Sequence, residues 1–101
     1  MSDTSPPSEY QVAWSEIARE SVKANAAKAR ELGVGEHFLR IVKSLDEILR
    51  HDPLGLGEIR WQRGAVEGRV AILDFVAIPF RVDKARKLVL VRNCIAHFQG
   101  A

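Results

Sequence analysis

Six side chains in the second half of the chain have the chemistry to act on a phosphate: Arg60, Arg63, Arg69, Arg81, Arg92 and His97. Arginine can neutralise the extra charge of a pentacoordinate phosphate, and histidine can move protons near neutral pH. In a phosphodiester-cleaving enzyme His97 would be the general acid or base, with Arg81 and Arg92 as the clamp. Arg60, Arg63 and Arg69 would then bind a target or nucleic acid. The alternative is that all six are solvated strand-edge residues that discourage aggregation. One geometric condition separates these readings. Arg92 and His97 are five apart and fall on opposite faces of an ideal strand, so a bulge or chain end must intervene for both to serve one site.

Other chemistries find less support. His37, His51, His97 and Cys94 lack metal-ligand spacing, and Cys94 and His97 point to opposite faces of a strand. Gly55-Leu56-Gly57 lacks the third glycine and the preceding strand of a nucleotide loop. A Ser-His-Asp arrangement cannot be built from scattered residues. No cofactor and no metal are expected. Cys94, the single cysteine, sits in an apolar strand and reads as a small buried hydrophobe.

The elements that must position the basic set lie between Arg69 and Phe98. Two apolar runs flank a polar break at Asp83 to Arg86. Apolar residues occupy both alternation phases, as in strands with a layer on each side. β-branched residues dominate, so strands are predicted, forming an antiparallel hairpin that turns at Asp83-Lys84-Ala85-Arg86. Upstream, Glu58 to Gln62 predicts a further strand and Arg63 to Gly68 a polar loop.

The first half predicts one strand and two helices. Tyr10, Val12 and Trp14 alternate as in a strand. Ser15 is a plausible N-cap. Behind it Ile17, Ala18, Ser21, Val22, Asn25, Ala29 and Leu32 recur at helical spacing, a small-residue stripe that invites close packing. Gly33 ends this helix. From 36 to 50, Phe38, Ile41, Val42, Leu45, Ile48 and Leu49 mark a strongly amphipathic second helix. Pro53 stops it.

The chain has 101 residues, enough for one domain with its own core. Residues 1–8 read as a disordered tail and residues 9–101 as a single domain. No segment resembles a secretion signal or a membrane span, which predicts a cytoplasmic protein. The net charge of +2 is asymmetric. Residues 1–57 carry minus two and residues 58–101 carry plus four, suggesting an acidic or polyanionic partner. Helices grouped before a mostly antiparallel sheet predict an α+β, two-layer βααβββ fold, with a helical hairpin on a small, curved antiparallel sheet.

From Tyr10 to His97 the sequence resembles the RelE/ParE family of type II toxins. The resemblance is carried by Tyr10-x-Val12-x-Trp14 before a helix with Ala18, by Asp52-Pro53-Leu54-Gly55-Leu56-Gly57-Glu58, and by Phe80-Arg81-Val82-Asp83 before Leu88-Val89-Leu90-Val91. It implies a toxin restrained by a cognate antitoxin, with DNA gyrase or the ribosome and its mRNA as target. Neither a membrane nor a small-molecule substrate is implied. The family's nuclease branch has Gly-Tyr-Arg at the start of the strand ending in Val-Asp, and that arginine would fall near Ala77. Its lysines are also missing from Glu58 to Leu73. His97 lies near where nuclease members keep a C-terminal Arg or His. These departures favour a ParE-like growth inhibitor that binds its target. The alternatives are a RelE-like, ribosome-dependent mRNA endoribonuclease and a non-toxic basic binding module.

Overall fold

The computed structural model describes residues 9–98, so the expected tail, 1–8, lies outside the described residues. In chain order the elements are β1 (Gln11–Trp14), α1 (Glu16–Glu31), α2 (Gly35–His51), a 3₁₀ turn (Pro53–Gly55), β2 (Glu58–Arg63), β3 (Val66–Leu73), β4 (Val76–Asp83), β5 (Leu88–Val91) and β6 (Ile95–Ala96). The expected α+β, two-layer architecture holds: two helices pack on one sheet.

Local chemistry explains the helix ends. The Ser15 hydroxyl accepts from Ala18 N at 3.1 Å, which satisfies one orphan donor at the start of α1. Gly33 turns the chain with φ 79, a left-handed conformation that costs glycine little. After α2 the Asp52 carboxylate accepts from Gly55 N at 3.1 Å, and Pro53 opens the 3₁₀ turn.

The apolar stripe of α2 enters the core through Phe38, Ile41, Leu45 and Leu49. Against it lie Ile78, Phe80 and Val82 of β4 and Val89 and Val91 of β5, all buried. Ile48 and Ile17, expected on the apolar stripes, are 37% and 66% exposed. The small-residue stripe of α1 is used within the chain, with Ala18, Ala26 and Ala29 buried.

The sheet runs β1-β5-β4-β3-β2, with β6 also paired to β4. Two details differ from the sequence reading. First, the sheet is mixed, because β1 pairs with β5 in parallel. The connection between them runs through both helices and β2 to β4, far longer than the dozen or so residues a parallel pair requires. Trp14 Nε1 donates to Asp46 Oδ1 at 2.8 Å, tying β1 to α2, and Arg50 Nε donates to Asp46 Oδ2 at 2.9 Å.

Second, the run from Arg69 to Asp83 is not one strand. It folds back at Asp74-Phe75, and β3 and β4 pair as a hairpin from Leu73↔Val76 to Val66↔Asp83. Asp74 adopts φ 58, which aspartate tolerates better than most residues. Phe75 looks like part of an apolar strand because it packs against Phe38, ring centroids 6.5 Å apart. The predicted loop at 63–68 shrinks to a turn at Gly64-Ala65. The predicted turn at Asp83 forms, with Asp83 Oδ1 accepting from Ala85 N and Arg86 N at 3.1 Å each.

Candidate functional site

Alternation along β4 gives the sheet two unlike faces. Val76, Ile78, Phe80 and Val82 are buried toward the helices, while Ala77, Pro79, Arg81 and Asp83 look to the other side. Register extends that open face. Arg81 is opposite Gly68 of β3 and opposite Leu90 of β5. Gly68 is in turn opposite Trp61 of β2. A Cβ on Gly68 would collide with the Trp61 indole, so the ring lies over the glycine, next to Arg81. The indole side of this arrangement stays accessible, with Trp61 43% exposed.

Arg81 is the most constrained of the open-face cations. It lines a groove of about 360 Å³ together with Gln11, Val12, Ala13, Asp83, Leu88, Val89 and Leu90. Its Nε is buried and has no hydrogen-bond partner among the described residues. A buried donor left in that state costs about 1–3 kcal/mol.

Arg92 joins the same face. Its backbone N donates to Pro79 O at 2.9 Å, extending the β4–β5 ladder by one pair. Arg92 is thus a diagonal neighbour of Arg81, a relation that puts two residues about 7–8 Å apart, within reach of long side chains. Beyond it the pairing slips. Pro79 to Ala77 is two steps on β4, whereas Arg92 to Ile95 is three on the facing strand. That extra residue is a bulge, the feature the Arg92–His97 spacing required. It is pinned from α1: Ser21 Oγ donates to Asn93 Oδ1 at 2.7 Å and Asn25 Nδ2 donates to Cys94 O at 2.9 Å. Burial pushes the Cys94 thiol up to about 11.

The bulge does not bring His97 to the arginines. His97 N donates to Phe75 O at 2.8 Å, which fixes it at the far end of β4. From Val76 to Arg81 is five strand positions, about 17 Å of backbone. His97 is exposed and lines a separate hollow of about 530 Å³ with Leu32, Val34, Ile72, Asp74, Phe75 and Phe98. At the rim His37 Nε2 and Asp74 Oδ2 are 2.8 Å apart.

The remaining predicted residues divide. Arg63 is exposed on the open face, opposite Val66. Arg60 is exposed at a second irregularity, where the β2–β3 register shifts between Ile59 and Trp61. Arg69, opposite Phe80, belongs to the helix-side face and is only 8% exposed. Its guanidinium donates to Glu67 Oε1 at 2.7 Å, to Leu56 O at 3.1 Å and to Gly57 O at 3.2 Å. Glu67 also receives Lys84 Nζ at 2.9 Å. The Lys84 hydrogen bond, followed by the Arg69 bond and the two positive charges, holds the Glu67 carboxyl below its ordinary range against the opposing effect of burial. Arg69 therefore spends its donors on the turn after α2. The Glu67-x-Arg69 spacing, opposite charges two apart on a strand, was the available signal for this pairing. Trp61 had no comparable signal, because its position beside Arg81 depends on register.

No protein-family model matches the chain, and no curated protein matches it. Solved structures do. A chain of the archaeal RelE–RelB complex from Pyrococcus horikoshii superposes with a TM-score of 0.68 at 12% identity, covering 91% of this chain and 99% of that one. A chain of the chromosomal ParDE toxin–antitoxin system of Pseudomonas aeruginosa gives 0.62 at 18% identity, covering 90% and 99%. A chain of the RelBE2 toxin–antitoxin complex from Mycobacterium tuberculosis gives 0.56 at 18% identity, covering 88% and 99%. The protein shares the fold of these chains, two helices on a mixed sheet of six strands. None of its described helices is long and apolar enough to cross a membrane.

Proposed function

We propose that this chain is the toxin of a type II toxin–antitoxin module, and that it arrests growth by binding a cytoplasmic target of the gyrase type. The fold similarity to chains of three toxin–antitoxin assemblies supports the module. The separation of His97 from Arg81 supports binding over cleavage. A nuclease needs its proton-transfer group and its phosphate clamp on the same scissile bond. Here the histidine occupies one hollow and the arginine another. A target-binding inhibitor needs only a surface, and the open face offers Trp61, Arg63, Arg81 and Arg92.

A second reading, mRNA cleavage on the ribosome, draws on one observation: Arg81 and Arg92 are diagonal neighbours on that face. Two such cations can hold a phosphate.

The partner that restrains the toxin is a cognate antitoxin with an acidic or amphipathic segment. The charge of Arg81, in a groove walled by Ala13, Leu88 and Leu90, suits a carboxylate flanked by apolar side chains. Co-expression with the adjacent open reading frame, followed by affinity capture and growth scoring, tests this. A neutralised, co-purifying pair is expected. A chain that is recovered alone and is harmless when induced would instead be a plain binding module.

A further inference from the structure

β2 is an outer strand of the sheet, and no described strand pairs with its free edge. All six of its residues are exposed, including Ile59 at 50% and Trp61 at 43%. An open edge of this kind is a template for strand addition. The order of charges along it says what the added strand is.

The register shift at Arg60 sets the faces. Glu58, Trp61 and Arg63 lie on the open face, opposite Val70, Gly68 and Val66, while Ile59 and Gln62 lie on the helix side, opposite Arg69 and Glu67. Consider two copies of β2 running antiparallel, related by a two-fold axis between Arg60 and Trp61. Glu58 then faces the second copy's Arg63, Ile59 faces Gln62, and Arg60 faces Trp61. Each pair occurs twice, as an isologous interface requires. In a regular strand Glu58 and Arg63 would be on opposite faces and could not meet in this way. The bulge returns them to the same face. Registers centred on Arg60 or on Trp61 fail this test, because each sets open-face residues against helix-side ones.

We infer that the β2 edge is a self-pairing surface, and that a second copy of this chain occupies it to form a continuous sheet across the two-fold axis. Opposite charges meet at both ends of the pairing. A single strand pair buries less than the roughly 1,200 Å² of standard interfaces, so the dimer is a weak one, with a dissociation constant of about micromolar or above. The inference is independent of what the open face binds.

Sedimentation of the purified full chain at concentrations up to about 1 mM, the weak end of measurable association, tests it. Wild type is expected to shift from monomer to dimer as concentration rises. Glu58→Arg and Arg63→Glu each place like charges in contact twice and are expected to weaken the dimer about tenfold or more. The double variant E58R/R63E restores both pairs and is expected to recover wild-type association. All these positions are exposed, so folding, checked by circular dichroism, is expected to be unchanged. Amide exchange from Glu58 to Arg63 is expected to slow with concentration. A chain that stays monomeric throughout would overturn the inference. So would a dimer insensitive to the single reversals, or one that the double reversal does not rescue.

Discussion

Glu67 and Arg69 sit two apart on β3 and face the same way, joined at 2.7 Å with both side chains less than a tenth exposed. A buried ion pair of this kind is costly to break by halves. Glu67→Ala leaves a buried guanidinium without its partner and should cost about 3–5 kcal/mol. The apolar pair Glu67→Leu with Arg69→Met should cost markedly less than the two single changes added together. Urea unfolding of the four species gives the coupling directly.

The same carboxylate sets an acid dependence. Its pKa in the folded protein lies below the ordinary 4.5. Its stabilisation is therefore complete above that value and is lost as pH falls through the lower, folded value. The wild-type denaturation midpoint should drop on acidification below about pH 5, and Glu67→Gln should flatten that drop.

Leu45 is fully buried in the α2 stripe. Leu45→Ala should cost about 2–5 kcal/mol, read as a lower chemical-denaturation midpoint with an unchanged slope.

What the sequence disclosed is what depends on near neighbours. The Ser15 cap, the Gly33 corner, the α2 stripe and the Asp83 turn all rest on contacts within a few residues. The parallel β1–β5 pair was hidden because its strands are far apart in sequence. The Asp74-Phe75 turn was hidden because it contains neither glycine nor proline and because Phe75 packs, half-buried, against the core. In the site, Arg81 and Arg92 were readable as cations embedded in apolar runs. Their common face, and the distance of His97 from both, depend on pairing register. Arg69 looked like a surface cation because nothing local shows that the turn at Leu56-Gly57 folds over it.

Cys94 is 2% exposed, and its thiol is pushed up to about 11 by burial. Native protein at neutral pH should alkylate slowly with iodoacetamide. Reaction should become fast only on unfolding.

Arg81→Met keeps the stem and removes the unpartnered donor. Stability should hold, or rise by up to about 1–3 kcal/mol. Antitoxin affinity should fall at least about tenfold, the loss expected for a charge-assisted contact. A variant that unfolds would show that the guanidinium serves the fold.

Induced expression of wild type and His97→Ala, with gyrase supercoiling and ribosome-bound mRNA ends scored in the same cells, tests target binding most directly. Growth arrest that survives His97→Ala, with supercoiling reduced by both proteins, is the expected result. Mid-codon mRNA cuts made by wild type and lost in His97→Ala would contradict it and establish a nuclease.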